Sequence, residues 1–184
     1  MYAFTFGSKL IGVIFVVVGS LALGIKVAAN MRGRLNALRD IERILSYLEG
    51  ELRCRHSVLG EAFYNVAIKS REPYRRWLLE LSEWVNPQEN EYKEKFEDFY
   101  SLWCNSLIQL KDNTFLNSKD IGQLYDVGKA LGYLDIESQQ MNLNLERELL
   151  HNSIRELDKD IGTRMKNVIV MCFLGGIMTV IALL

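Results

Sequence analysis

Proline is nearly absent from this 184-residue chain: Pro73 and Pro87 are its only two. Proline interrupts helix interiors, so its scarcity favours long helices over a sheet-rich fold. Histidine is equally scarce, with His56 and His151 alone. A zinc set would have to borrow carboxylates, and Cys54-x-His56, the one Cys/His pair within a turn, reads as structural or surface. The three cysteines, Cys54, Cys104 and Cys172, are odd in number and scattered. They make no disulfide framework and fit a reducing compartment. A glycine-rich phosphate loop of the Walker type is missing. So is any linker rich in Gly, Ser or Pro, and so is any internal repeat. Charge of one sign is also lacking: the net value is −1 and the pI about 6.2, which gives no reason to expect nucleic acid as a partner.

Catalytic arrangements are missing in the same way. Glu49 and Glu51 are two apart on a helix, so they do not share a face and make a poor acid/base pair. Asp158 and Asp160 have the same spacing and read as a solvated face. No Ser–His–carboxylate set can be argued from spacing. The expectation is a chain that is not an enzyme and holds no metal or cofactor.

What is present lies first at the two ends. Val168 to Leu184 is seventeen residues without a charge, and Leu10 to Ile25 is sixteen, bracketed by Lys9 and Lys26. Seventeen residues at about 1.5 Å each give roughly 25 Å, the short end of what spans a bilayer core of about 30 Å. Both lysines can lie along the helix and reach the interface, so Phe4 to Ala29 is long enough to cross. A cleaved signal peptide is the rival for the first segment. The start lacks a positive cluster, and Lys26 falls where a cleavage region is uncharged. Ser20, Gly24 and Ala28 are spaced four apart, a small-residue stripe for close packing of membrane helices. Lys26, Arg32, Arg34 and Arg39 follow the first span, and Lys159, Arg164 and Lys166 precede the second. The positive side is the middle of the chain, which is therefore expected in the cytoplasm with both termini opposite.

Heptad spacing continues from both spans. Leu38, Ile41, Leu45, Leu48 and Leu52 form one seam, and Leu143, Leu150, Ile154, Leu157, Ile161 and Val168 form a similar one. They pair naturally as an antiparallel stem. Between them the pattern predicts four shorter helices. Ser57 caps one with Leu59, Ala62, Phe63, Val66 and Ala67 on a face, and Pro73 opens another with Trp77, Leu78, Leu81 and Trp84. Asn86-Pro87 starts a third with the stripe Tyr92, Phe96, Phe99, Trp103, Leu107 and Leu110, read as bundle core. A break at Asp112-Asn113 is followed by a helix capped by Ser118, carrying Ile121, Leu124, Tyr125, Gly128 and Leu131. Gly132 ends it, and Asp135 caps the last long helix. The fold class is all-α: a membrane-anchored bundle of about six helices. Its parts are a first span over residues 1–29, a cytoplasmic helical domain over 30–166 and a second span over 167–184.

Two surfaces are candidate partner interfaces. Arg71, Arg75 and Arg76 surround Pro73-Tyr74, a basic patch suited to an acidic partner or anionic headgroups. Glu89, Glu91, Glu94, Glu97 and Asp98 form an acidic stretch. Gly122, Gly128 and Gly132 weaken their helix unless something packs closely there, inside the bundle or against a partner; Gly128, Leu131 and Gly132 are the candidates.

Two stretches carry a resemblance. One is Leu48-Glu49-Gly50-Glu51-Leu52 followed by Ser57-Val58-Leu59-Gly60-Glu61-Ala62-Phe63 and Ala67. The other is Gly128-Lys129-Ala130-Leu131-Gly132 with Asp135, Gln139, Gln140, Leu143 and Leu145. With a membrane helix at each end, they resemble the stage III sporulation protein AB family of endospore-forming bacteria. The resemblance implies membership of the mother-cell-to-forespore secretion (feeding-channel) assembly. It implies a cytoplasmic domain similar to one in the inner-membrane platform protein of type II secretion and type IV pilus machines. It also implies a secretion-type ATPase and other membrane and ring proteins as neighbours, with homo-oligomerisation left open. The role expected is a scaffold in the outer forespore membrane, its central domain on the mother-cell side. A membrane-anchored helical ligand sensor or enzyme is the alternative.

Overall fold

A computed structural model describes residues 2–55, 58–85, 95–132 and 136–183. Among them are six helices and no strand: α1 (Tyr2–Arg55), α2 (Leu59–Lys69), α3 (Tyr74–Val85), α4 (Lys95–Asp112), α5 (Ser118–Leu131) and α6 (Ile136–Leu183). The chain divides into two compact units. Met1–Gly33 with Glu156–Leu184 form the first, and Arg34–Arg155 the second.

The first unit pairs the apolar parts of α1 and α6. A Cβ on Gly24 would stand 3.1 Å from Cys172 Cβ and 3.2 Å from Ile169 Cα, and one on Gly176 would run into the Ser20 side chain. Residue numbers rise on one helix as they fall on the other, so the pair is antiparallel. Windows of 18 residues reach a mean hydropathy of 2.2 in α1 and 1.9 in α6, with only 11% of each window buried. A core helix of a soluble protein would be mostly covered. These two are long and apolar enough to cross a membrane and present Phe15, Leu23, Met171 and Met178 outward.

The second unit is a bundle with its own core. The α1 seam is buried throughout: Leu38, Ile41, Leu45, Leu48 and Leu52. Leu143, Leu150 and Ile154 of α6 are buried too. The register is again antiparallel: Gln140 donates to the Leu52 carbonyl, Arg147 pairs with Glu49, and His151 contacts Glu42. Each buried Leu or Ile contributes about 1.5–3 kcal/mol before entropy is subtracted. Leu157, Ile161 and Val168, further along the predicted seam, are only half-buried in the first unit.

Around these helices, α2 and α3 form an antiparallel pair. Gly60 sits where any Cβ would be 3.3 Å from the backbone of Val85, so the start of α2 lies against the end of α3. Ala62, Phe63, Val66 and Ala67 are buried from α2, and Trp77, Leu78 and Leu81 from α3. Trp84 departs from the expected face and is 68% exposed. Pro73 stands one residue before α3, and its carbonyl accepts the Trp77 N–H. The break after α4 falls at Asp112 as the sequence indicates. The cap of α5 is Asn117 rather than Ser118: its side chain accepts the Asp120 N–H, and Asp120 returns a bond to the Asn117 N–H. Gly132 is the C-cap. Ser57, Asn86-Pro87, Tyr92 and Asp135 lie outside the described residues, as do Glu89, Glu91 and Glu94.

Candidate functional site

The bundle centre is an aromatic cluster supplied by three helices. Phe63 (α2), Trp77 (α3) and Phe99 and Trp103 (α4) stand in contact, with Trp77 and Trp103 5.2 Å apart at their ring centres. Trp103 Nε1 donates to the Leu124 carbonyl at 2.7 Å and Trp77 Nε1 to Ser106 Oγ at 2.9 Å. Both indole N–H groups are thereby satisfied, which is the condition for burying them. The described part of the aromatic stripe is therefore core. Gly128 belongs to the same arrangement: a Cβ there would collide with the Trp103 indole. Leu131 and Gly132 are buried as well. Gly122 faces open space.

The arginines are placed differently. Arg71, Arg75 and Arg76 are exposed on the turn between α2 and α3 and the start of α3. None of them has an ion pair among the described residues. Tyr74 in their midst is buried, its hydroxyl 3.4 Å from the Ala37 carbonyl. Burial, with the nearby Asp40 charge, raises its pKa above the usual phenol value. Arg76 also lines an open cleft of about 210 Å³ between α3 and α4, with Glu72, Trp77, Glu80 and Asn113. That is smaller than the roughly 300–1,000 Å³ typical of small-molecule sites.

Buried charge sits elsewhere, at points the sequence reading does not single out. Asp120, 3% exposed, accepts Arg34 Nε at 2.9 Å and Nη2 at 2.7 Å while also accepting the Asn117 N–H in the capping box of α5. The bond to Asp120 raises the Arg34 pKa further. Glu51 is buried and accepts Lys69 Nζ at 2.9 Å and Asn65 Nδ2 at 3.1 Å. Glu49 pairs with Arg147 of α6 at 3.0 Å. Glu49 and Glu51 thus serve two different helices, as their spacing requires. The Asn117–Asp120 spacing is the one signal by which the Asp120 site was findable. No group of three or more His, Cys, Asp or Glu able to hold a metal occurs among the described residues. Cys54 is in the last turn of α1, and His56 lies outside the described residues. In the first unit, Ser20 and Gly24 face α6, and Ala28 is buried.

What this architecture resembles is specific. The sequence profile of the stage III sporulation protein AB family matches residues 9–184. Stage III sporulation protein AB of Bacillus subtilis strain 168 is 24% identical over 176 residues, covering 96% of this chain and 99% of its own. A solved structure of a stage III sporulation protein AB superposes with a TM-score of 0.58 at 22% identity, over 70% of this chain and 96% of that one, which shows a shared fold. The match runs through both apolar ends and the bundle between them, and the chain belongs to the stage III sporulation protein AB family.

Proposed function

We propose that the chain is a two-pass membrane scaffold of the mother-cell-to-forespore secretion complex. Its central bundle docks a cytoplasmic secretion-type ATPase to the outer forespore membrane. Family membership supports a role in sporulation, and it is the observation that carries the reading. Two outward-facing apolar helices support the membrane part. The Lys and Arg that flank both spans on their inner sides support a cytoplasmic middle. A bundle whose aromatic centre is filled, rather than hollow, fits a body that binds other proteins by its surface.

Co-purification from sporulating cells tests the docking. Tagged full-length chain is expected to bring down the ATPase through a brief cross-link, in amounts that survive mild detergent. Recovery of membrane and ring proteins without the ATPase would sink the docking role while leaving membership of the complex. Protease accessibility tests the topology separately. Sites within α2 to α5 should be cut only from the cytoplasmic side.

A further inference from the structure

We propose that the Arg34–Arg155 unit associates head to tail with a second copy of itself, the outer ridge of α2 on one chain seating against the outer ridge of α6 on the next. The inference concerns this unit alone and rests on neither the ATPase nor the membrane reading. Met141, Leu145 and Leu149 are exposed on α6, on the side away from the buried Leu143, Leu150 and Ile154. An amphipathic helix ordinarily carries polar residues there. Tyr64 and Ile68 are exposed in the same way on α2, on the side away from the buried Phe63 and Val66. Residues four apart on a helix form a ridge, and ridges of this spacing interdigitate in the commonest class of helix packing.

Charge and spacing select a second copy as the occupant. Between Glu137 and Asn152, the basic residues of α6 are Arg147 and His151, and both are turned to α1, to Glu49 and Glu42. Glu137 and Glu148 remain as the outward charges. Past Ile68, by contrast, come the exposed Arg71, Arg75 and Arg76, without an ion pair among the described residues. Tyr64, Ile68 and Arg71 step by four and then three along the chain, as do Met141, Leu145 and Glu148. Run in parallel, the ridges set Tyr64 against Met141, Ile68 against Leu145 and Arg71 against Glu148. Glu61 then stands opposite Ser138 rather than a carboxylate. These are a thioether on a ring, two branched apolar chains and a guanidinium on a carboxylate. Copies with their helices aligned supply the parallel direction, because α2 and α6 both run back along α1. Lys69 lies beside Glu51 and Tyr74 then reaches Ala37, while Gln140 lies beside Leu52 and His151 beside Glu42. Within one chain α1 stands between the ridges, with Glu51 bonded to Lys69 and Glu49 to Arg147. The two surfaces differ, so each pair of copies leaves one of each free, and the contact repeats into a ring or a row.

Ridges of two or three side chains fall short of the roughly 800 Å² per partner that a stable complex of free proteins buries, so the contact is best trapped covalently. Two differently tagged full-length copies are co-expressed with their native cysteines changed to Ala. One carries Ile68→Cys and the other Leu145→Cys, and the cells are mildly oxidised. A disulfide-linked dimer bearing both tags should form. Phe115→Cys, as exposed as Ile68 and on neither ridge, replaces Leu145→Cys to set the background of random collision. The mixed dimer should exceed that background several-fold. Arg71→Glu in the first copy, or Glu148→Arg in the second, should each lower its yield roughly threefold, and the two together should restore it. Helicity equal to the parent's in each purified variant establishes that the bundle is folded, since every substituted ridge position is exposed. A mixed dimer no more abundant than the Phe115→Cys background overturns the proposal. So does an equal yield when Ile68→Cys is paired with itself, which would mean a two-fold interface, and so does a yield indifferent to both charge reversals.

Discussion

The Trp103 indole occupies the space in which a side chain on residue 128 would stand. Gly128 is therefore required by a neighbour rather than by backbone conformation. Gly128→Ala gains about 1 kcal/mol of helix propensity and loses about 1–3 kcal/mol to overpacking against a ring held by its bond to the Leu124 carbonyl. The net expectation is destabilisation by about 1 kcal/mol, and Gly128→Leu should be worse. Chemical denaturation of the detergent-solubilised chain measures it. In a Trp103→Ala background the sign should invert, because the obstructing atoms are gone. If Gly128→Ala destabilises equally in both backgrounds, the steric account is wrong.

Arg34 and Asp120 make the second prediction. The carboxylate is buried, accepts Nε and Nη2 of the guanidinium, and accepts the Asn117 N–H in the capping box of α5. Asp120→Ala removes the reciprocal bond of the capping box and strands a partly buried cation, at a cost of about 3 kcal/mol. Asp120→Asn keeps an acceptor for the Asn117 N–H and loses the ion pair, so about 1–2 kcal/mol is expected. Far-ultraviolet circular dichroism through a thermal ramp orders the variants. Equal transitions for the parent and Asp120→Ala would refute a structural role for the pair.

The division between what sequence reveals and what it hides follows from range. The α1 seam and the buried faces of α2, α4 and α5 are legible because helical periodicity is a local property and burial follows it. The antiparallel pairing of α1 with α6 was inferable since two matched seams must cover each other. Ser118 and Asn117 are both good caps, and the residue three on decides between them. Asp120 can complete a reciprocal bond to Asn117, whereas Ile121 offers nothing to Ser118. Trp84 sits in phase with Trp77 yet is exposed, because the phase of one helix does not say what covers each of its turns. The Arg34–Asp120 pair joins residues far apart in the chain, and nothing in a single sequence marks it. Gly122 remains without a structural reason.

Glu146 provides a pH-dependent prediction. Desolvation, and then the nearby Asp126 charge, raise its pKa above the ordinary 4.5, partly offset by Lys129. The folded state therefore holds this proton more tightly than the unfolded one. Stability from this group is present below pH 4.5 and is lost as the pH rises through the raised value. Glu146→Gln should match the parent in acid and exceed it at neutral pH. The group is mostly solvated, which limits the gain to below about 0.5 kcal/mol. Urea titrations at the two pH values decide it. A gain of the same size at both would show that charge is not the cause.

Gly24 and Cys172 give a direct test of how the apolar helices pair. A Cβ at position 24 would lie 3.1 Å from Cys172 Cβ, a few tenths short of the roughly 3.5–4.5 Å of a disulfide. Gly24→Cys should therefore cross-link to the native thiol within one chain when membranes are oxidised. The adduct should run faster on a non-reducing gel and revert with reductant. Gly19→Cys, which has nothing within 4 Å, should stay reduced under the same conditions. Removing the acceptor with Cys172→Ala should abolish the shift. A cross-link that forms only between chains would mean that α1 meets α6 of a neighbour in the bilayer, and the intramolecular pairing would be overturned.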